Sequence, residues 1–286
     1  ALHIGSKDDE GLKRTVHTAV IICLAGGILI TVFGILFSHN ILALMNTKDE
    51  LIDGAVLYLR IYLLGMPALG LYNFGNAVLS AAGDTKRPLY YLAFAGVVNV
   101  ILNLFFVIVC HLGVAGVALA SMISQFISAF LILRALLTGK EKYCLRLSEI
   151  RFDKRKAVGI LQIGIPSAFQ YSLFAFANLF VQSSVNSFDH VLVEGNSAAA
   201  NADPLVYDMM AAFYTACSSF IAQNFGARKK KRILQTYLIC LFYSFITSLV
   251  LGVGIYLARY PFLYLFTSDK AVVEAGITRL SIMALS

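Results

Sequence analysis

The sequence contains two copies of one pattern, and this repeat limits the folds that are open to the chain. The segment Gly5-Ser6-Lys7 opens the first copy, and Gly226-Ala227-Arg228 opens the second. The two glycines are 221 positions apart, and the same offset separates Leu44 from Leu265. Each copy continues as a basic run, a long apolar span, a polar cluster and a second apolar span. Self-similarity at a long fixed period is typical of internal duplication, so we expect two structurally related halves.

The composition places both halves in a lipid environment. Hydrophobic residues make up 59% of the chain and charged residues 14%, and the mean hydropathy is +0.77. Soluble domains carry about 25% charged residues. Since a membrane-spanning helix needs about 20 apolar residues, we predict an all-α integral membrane protein with eight spans. The predicted spans are Thr15–Phe37, Leu51–Ala82, Leu89–Cys110, Val114–Leu137, Ala157–Gln182, Asp203–Ala222, Ile233–Leu257 and Ala271–Ser286.

The connections between the spans carry their own signals. Gly65-Met66-Pro67 lies in the middle of the second span and predicts a bend there, because proline removes a backbone donor. Thr138–Lys156 is polar and basic, and Asn186–Ala202 is polar and rich in small residues. We therefore predict that both of these segments are connections outside the membrane.

Basic residues lie mainly at alternate connections, and this predicts the orientation of the chain. Of the 23 Lys and Arg residues, 18 fall on one side of the predicted membrane. These 18 are Lys7, Lys13, Arg14, Lys86, Arg87, Arg134, Lys140, Lys142, Arg146, Arg151, Lys154, Arg155, Lys156, Arg228, Lys229, Lys230, Lys231 and Arg232. The positive-inside rule predicts that these loops are cytoplasmic, and it explains the net charge of +7 without a nucleic-acid partner. Six spans separate the two repeat starts, so we expect parallel repeats.

Polar side chains within apolar spans are the candidate pathway residues, because such groups are costly in a bilayer unless they are paired or face water. Asn99 and Asn103 are four residues apart and share one helix face. The candidate set is Tyr62, Asn73, Asn99, Asn103, Tyr171, Asn178, Gln182, Asp203, Tyr207 and Asp208. Amide and aromatic groups of this kind suit amphipathic or cationic organic molecules.

Packing is the alternative interpretation of several of these polar positions. Asn, Ser and Gly often hold membrane helices together, and the segment from Gly113 to Ser121 has the small residues of a close helix contact. Asp203 precedes Pro204 and can serve as a helix cap. The sequence leaves both roles open for these residues.

The sequence lacks the motifs of the common enzyme classes. The five histidines show no metal-ligand spacing, and the five cysteines are scattered. Zinc-protease, phosphate-loop and nucleophile-elbow motifs are absent. We therefore expect no enzymatic activity, no cofactor and no metal site.

Several motifs, taken in order, resemble a known transporter family over essentially all 286 residues. The motifs are Gly83-Asp84-Thr85-Lys86-x-Pro88, Asn99 with Asn103, Gly113-Val-Ala-Gly116-Val-Ala118-Leu-Ala120, Gly164-Ile165-Pro166-Ser167 and Gln223-Asn224-Phe225-Gly226-Ala227. Together they are similar to the signature of the multidrug and toxic compound extrusion (MATE) transporters. Some members carry a carboxylate deep in helix seven, where this sequence has Leu173, Phe174 and Phe176.

The resemblance implies a twelve-helix fold of two six-helix lobes around a central cleft. By this resemblance the chain is a fragment that covers about helices three to ten. It has an N-lobe at 1–138, a basic cytoplasmic linker at 139–156 and a truncated C-lobe at 157–286. The implied activity is export of drug-like or organic-cation substrates in antiport with Na⁺ or H⁺, by a monomeric multi-pass protein of the plasma membrane.

Two other functions remain open at this point. A flippase for lipid-linked saccharides belongs to the same superfamily, but it would favour a basic central cavity, and Arg60 and Arg279 are the basic residues within the predicted spans. A membrane enzyme or receptor is the third hypothesis, and the absence of catalytic motifs disfavours it.

Overall fold

The computed structural model describes residues 1–44, 49–185 and 188–285. Within these ranges the regular structure is helical and contains no β-strand, so the predicted all-α class is confirmed. The repeat positions Met45–Lys48 and the residues Asn186 and Ser187 of a predicted connection lie outside the described ranges. Tertiary contacts divide the chain into two compact units. The first unit comprises Ala1, His3 and Lys7–Leu161, and the second comprises Leu2, Ile4–Ser6 and Gln162–Ser286.

The first unit is a bundle of five long helices. Its elements are α2 (Asp9–Leu44), α3 (Asp49–Leu63), α4 (Met66–Ala81), α5 (Lys86–Leu104) with a π-helical extension at Phe105–Val109, and α6 (Gly113–Thr138). Helices α3 and α4 form one apolar segment that bends by 44° at the break after Leu63. Pro67 lies in the first turn of α4, where its missing N–H costs nothing. The bend predicted from the Gly-Met-Pro sequence is therefore confirmed.

Small residues set the distances between the helices of the first unit. A Cβ atom on Gly27 of α2 would lie 2.6 Å from Cα of Pro67, and one on Gly75 of α4 would lie 2.8 Å from Ile132 of α6. In α6 the side chains of Ala118 and Ala120 are fully buried. The close packing predicted for this small-residue segment is thus confirmed, since backbones approach closely only where side chains are small.

Among the described residues, the second unit contains the remaining membrane-length helices and four shorter ones. Its elements are α1 (Leu2–Gly5), most of α7 (Lys154–Val185), α8 (His190–Ala200), α9 (Asp203–Gly226), α10 (Lys230–Leu257), α11 (Arg259–Tyr264) and α12 (Lys270–Leu285). The core of this unit lies where α8 and α11 pack on α12. It is formed by Ala198, Ala199, Ala202, Leu263, Val273 and Leu280.

The segment Asn186–Ala202, predicted as a polar connection between two spans, contains a helix, since His190–Ala200 forms α8. The small residues of this helix pack against α12. A Cβ atom on Gly195 would lie 2.7 Å from the backbone oxygen of Val272, and one on Gly276 would lie 2.9 Å from the backbone oxygen of Gly195. The polar composition of this segment did not predict α8, because the helix is stabilised by close backbone contact with α12.

The number of spans also differs from the prediction. Six helices among the described residues are long and apolar enough to cross a membrane, or seven if the bent α3–α4 pair is one span. The predicted eighth span is α12, whose 16 residues extend about 24 Å at about 1.5 Å per residue.

The internal repeat extends to backbone geometry. Lys7 and Arg228 both adopt left-handed conformations, with φ values of 56° and 57°, and they occupy equivalent repeat positions. The helix that follows begins two residues later in each copy, at Asp9 and at Lys230. A non-glycine residue with positive φ is uncommon, so its occurrence at both positions indicates that the two copies share one turn geometry.

The turn before each of these helices is closed by the same hydrogen bonds. The Ser6 amide donates to the Leu2 carbonyl at 3.0 Å, and the Ala227 amide donates to the Gln223 carbonyl at 3.0 Å. In each pair donor and acceptor positions are offset by 221 residues between the copies. The sequence repeat is therefore a structural repeat.

Close backbone packing at Gly226 leads to a stability prediction. A Cβ atom on Gly226 would lie 2.2 Å from the Leu2 carbonyl oxygen, whereas one on Gly254 of α10 would have no atom within 4 Å. We expect Gly226→Ala to destabilise the protein by about 1–3 kcal/mol through overpacking. The Gly254→Ala control should leave stability unchanged or raise it slightly, because alanine favours helix. Thermal unfolding in detergent measures both, and equal midpoints would contradict the prediction.

Candidate functional site

A neutral network of amide and hydroxyl groups joins α5 and α6 within the first unit. Asn103 Nδ2 donates to Asn99 Oδ1 at 3.0 Å, and Asn99 Nδ2 donates to Ser124 Oγ at 3.2 Å. Ser124 Oγ in turn donates to the Ser121 carbonyl at 2.9 Å. The sequence predicted that the two asparagines share a face, and the structure joins Asn103 to Asn99 and Asn99 to Ser124 of α6. The network includes Ser124, which was not in the candidate set.

Two amide oxygens, one in this network and one on the neighbouring residue of Ser124, are shielded from solvent. Asn103 Oδ1 and Gln125 Oε1 accept no hydrogen bond from any of the described residues. An unsatisfied buried acceptor costs about 1–3 kcal/mol. Oxygens of this type accept hydrogen bonds from a bound molecule or coordinate a hard cation such as Na⁺.

Gln125 also contacts the bend between α3 and α4. Its Oε1 atom would lie 1.9 Å from a Cβ atom placed on Gly65, so the side chain fits only because Gly65 has none. Tyr62, which is half-buried, precedes this bend, and its ring stacks on Tyr58 at a centroid distance of 6.0 Å. The predicted pathway residue Tyr62 therefore lies on the segment that contacts Gln125, whereas Asn73 is exposed on α4.

The network carries no titratable acid of its own. Residues 86–138, which include α5 and α6, contain no Asp or Glu. Amide and hydroxyl groups do not change charge at physiological pH. Any ligand that this network binds must therefore be recognised through oxygen atoms and dipoles rather than through a carboxylate.

In the second unit three of the predicted pathway residues are exposed on α7. Tyr171, Asn178 and Gln182 all lie on the exposed surface of this helix, and the Tyr171 side chain is 62% exposed. Pro166 lies inside α7 without ending it. This surface of α7 therefore presents the Tyr171 ring and the Asn178 amide.

Asp203 forms an ion pair with Arg279. Arg279 Nη2 of α12 donates to Asp203 Oδ2 at 2.6 Å, and Arg279 Nη1 donates to the Asn196 carbonyl of α8 at 3.2 Å. The pair links the first residue of α9 to two other helices. The side chains of Arg279 and Asp203 are 33% and 43% exposed, so the pair contributes modestly to stability. Asp208 and Tyr207 lie further along α9 and are exposed.

A cavity of about 520 Å³ lies beside α9 and α10. It is lined by Leu2, Tyr214, Cys217, Ser218, Ile221, Ala222, Phe225 and Tyr237. Tyr214 and Cys217 belong to the helical stripe that begins at Asp203 and Tyr207. The cavity is mainly apolar with two phenol groups, which is the composition of pockets for amphipathic molecules.

Sequence reasoning left some of these residues out of the candidate set. Ser124, Gln125 and Arg279 could have been predicted from the sequence, because each is a polar residue in an apolar helix. Asn196 could not have been found, because its role depends on a helix that the sequence did not predict. Among the described residues, no group of three or more His, Cys, Asp or Glu side chains lies close enough to hold a metal ion.

These features define a multi-pass α-helical membrane protein with an internal duplication and polar groups on its apolar helices. The MatE family model matches residues 1–105 and 166–286, and the chain belongs to the MatE family. The resemblance inferred from the sequence motifs is therefore confirmed.

Relatives of known sequence and structure agree with this membership. The chain is 31% identical over 230 residues to the probable multidrug resistance protein YpnP of Bacillus subtilis (strain 168), covering 80% of this chain and 51% of YpnP. It is 28% identical to YoeA, another probable multidrug resistance protein of that organism, over 93% of this chain and 59% of YoeA. The chain thus spans between half and three fifths of the length of these relatives.

The fold is shared with a solved transporter. The outward-facing conformation of a multidrug resistance MATE family transporter of the MOP superfamily superposes with a TM-score of 0.89 at 21% identity. The superposition covers 99% of this chain and 64% of that chain. It confirms the fold class predicted from the sequence.

The amide network predicts a difference between two asparagines. Asn99→Ala would leave Ser124 Oγ without its amide donor and the Asn103 amide without its acceptor. We expect a loss of about 1–3 kcal/mol in the free energy of unfolding. Asn73→Ala, at an exposed position, should change it by less than about 0.5 kcal/mol. Chemical unfolding in detergent micelles measures the difference, and equal losses would show that the network contributes nothing to stability.

Proposed function

We propose that the protein containing this chain is a secondary active multidrug exporter. It moves drug-like amphipathic or organic-cation substrates outward in exchange for Na⁺ or H⁺. It works as a multi-pass protein of the cell membrane with its basic loops in the cytoplasm. The proposal makes the protein a transporter rather than an enzyme, and it treats the coupling ion as a co-substrate.

The observation that carries the proposal is the uncharged network of Asn99, Asn103 and Ser124, with its shielded amide oxygens, in a chain that belongs to the MatE family. Polar groups inside a membrane bundle are costly, so the pathway of a transported molecule is the ordinary reason for unpaired ones. The relatives YpnP and YoeA bear the description probable multidrug resistance protein, and this supports the substrate class.

The exposed aromatic and amide groups of the second unit fit a broad substrate range. Tyr171, Tyr207 and Tyr214 present phenol rings that are more than half exposed. Aromatic faces attract organic cations and also stack on flat apolar molecules. Such contacts need few specific hydrogen bonds, so one site can accept chemically different substrates.

The two candidate sites suggest different coupling ions. The network of the first unit offers amide oxygens and no carboxylate, so it favours Na⁺ over a proton. In the second unit Asp208 is an exposed carboxylate, and Asp203 is held by Arg279. Proton coupling through Asp203 would require this ion pair to open during the transport cycle.

Transport by the full-length protein tests the proposal. We expect cells that lack their own exporters to accumulate less ethidium when they express the protein, and we expect the effect to vanish when the Na⁺ and proton gradients are collapsed. Restoring one gradient at a time identifies the coupling ion. Dye accumulation identical to that of vector controls, with the protein present in the membrane, would rule out multidrug antiport.

Single substitutions test where the pathway lies. We expect Asn178→Ala and Asp203→Asn to weaken efflux several-fold, whereas Asp53→Asn, which removes an exposed carboxylate of α3, should leave efflux nearly unchanged. Arg279→Gln is the control for a purely structural role of Asp203, because it breaks the same ion pair and keeps the carboxylate.

If Arg279→Gln and Asp203→Asn reduce efflux and protein stability equally, Asp203 serves only the ion pair. If efflux falls more with Asp203→Asn at equal stability, the carboxylate itself acts in transport. Equal effects of Asn178→Ala, Asp203→Asn and Asp53→Asn would remove the reason for placing the pathway on α7 and α9.

A further inference from the structure

The segment before α7 is fastened to the start of α2 within the first unit. The Arg146 amide donates to His17 Nε2 at 3.1 Å, and the Asp153 amide donates to Thr18 Oγ1 at 3.1 Å. The side chains of His17 and Thr18 are fully buried beneath the segment. We call residues 144–153 the strap. Hydrogen bonds at both of its ends hold it in one position along α2.

Ion pairs add to this attachment. Lys13 of α2 pairs with Glu149 of the strap, and Arg14 contacts Asp153 at 3.6 Å. The amides of Lys156 and Arg155 donate to the Asp153 carboxylate and, with the charge of Arg14, lower its pKa, so that Asp153 stays ionised. The strap is therefore a fixed structure rather than a loose connection.

A cavity of about 720 Å³ lies between the strap and α2. It is lined by Glu10, Lys13, Arg14, His17, Ser148, Glu149, Arg151, Phe152, Asp153 and Lys154. Each acidic side chain of this lining is paired, Glu149 with Lys13, and Glu10 and Asp153 with Arg14. In the part of the chain that the structure describes, Arg151 and Lys154 have no acidic partner within ion-pair distance. The lining therefore carries four cationic and three anionic side chains, a net charge of +1, with Arg151 and Lys154 outside the ion pairs.

Apolar side chains are exposed beside these charges. Phe152, which lines the cavity, is 58% exposed, and Leu147 on the same strap is 71% exposed. The cavity lies at the end of α2 where the polar first turns give way to the apolar sequence 19–37. Basic residues next to exposed apolar ones at the end of a membrane span are typical of contact with lipid headgroups.

We propose that this cavity binds the headgroup of an anionic phospholipid. The phosphodiester lies between Arg151 and Lys154, with Ser148 within the same lining as a hydroxyl donor, while Phe152 and Leu147 contact the adjoining acyl chains. A headgroup with one negative charge matches the net charge of +1 on the lining, and Arg151 and Lys154 are the two cations that the ion pairs leave available to it. The volume lies within the usual range of roughly 300–1,000 Å³ for ligand pockets.

Native mass spectrometry of the full-length protein with added phosphatidylglycerol tests the site. The variant R151Q/K154Q removes both free cations. We expect its affinity for phosphatidylglycerol to fall roughly 25-fold, because each basic side chain near an anionic headgroup contributes about a factor of five. Phosphatidylcholine binding should stay unchanged, and R151K/K154R should retain phosphatidylglycerol binding within about threefold.

The control variant K230Q/K231Q removes the same charge from the exposed start of α10. It should lower phosphatidylglycerol affinity by less than about twofold. An equal loss in both variants would show a general charge effect and overturn the site. Displacement of phosphatidylglycerol by an equal concentration of inorganic phosphate would overturn the assignment to a lipid.

The salt dependence of lipid binding to the wild-type protein tests the site independently of whether the variants fold. Salt screens exposed charges, since the Debye length falls from about 10 Å at 0.1 M to about 3 Å at 1 M ionic strength. Phosphatidylglycerol adducts should therefore diminish several-fold in 0.5 M salt, whereas phosphatidylcholine adducts should not. Salt-independent binding of phosphatidylglycerol would contradict the proposal. None of these outcomes depends on whether the protein exports drugs.

Discussion

The structure depends on one constraint, which is that polar groups on apolar helices need partners inside the protein. The chain meets this constraint in three ways. Backbone groups are satisfied by helices. Asn99, Asn103 and Ser124 satisfy one another between α5 and α6. Arg279, a charge within the apolar sequence of α12, is held by Asp203 and Asn196. Where the pairing is incomplete, as at Asn103 Oδ1 and Gln125 Oε1, the unsatisfied oxygens mark a candidate site.

Close packing makes this pairing possible, because short polar side chains reach each other only between helices that approach closely. Glycine and alanine provide that approach at Gly27, Gly75 and Gly195. Gly65 has the additional role of leaving room for the Gln125 amide at the bend between α3 and α4. The bend and the polar network are therefore linked by a missing side chain, and a larger residue at position 65 would displace one or the other.

Duplication explains why the two copies follow the same local rules. The left-handed residues Lys7 and Arg228 precede helices that begin at equivalent positions, and the same hydrogen bonds close the turns before them. The copies also diverge. The 36-residue α2 has no interruption, whereas its counterpart is broken at Ala258 into α10 and α11. The two copies therefore share the geometry of the turn, but only the first copy keeps the following helix unbroken.

The sequence by itself determined the environment, the helical class, the repeat, the bend at Pro67 and the family, because these follow from residue type and spacing along one segment. It did not reveal α8, whose small residues have the composition of a loop and become helical through contact with α12. Nor did it reveal the partner of Arg279, the orphan oxygen of Gln125 or the docking of the strap on His17 and Thr18. Those features join residues distant in sequence, and their energies depend on distances that only the packed helices set.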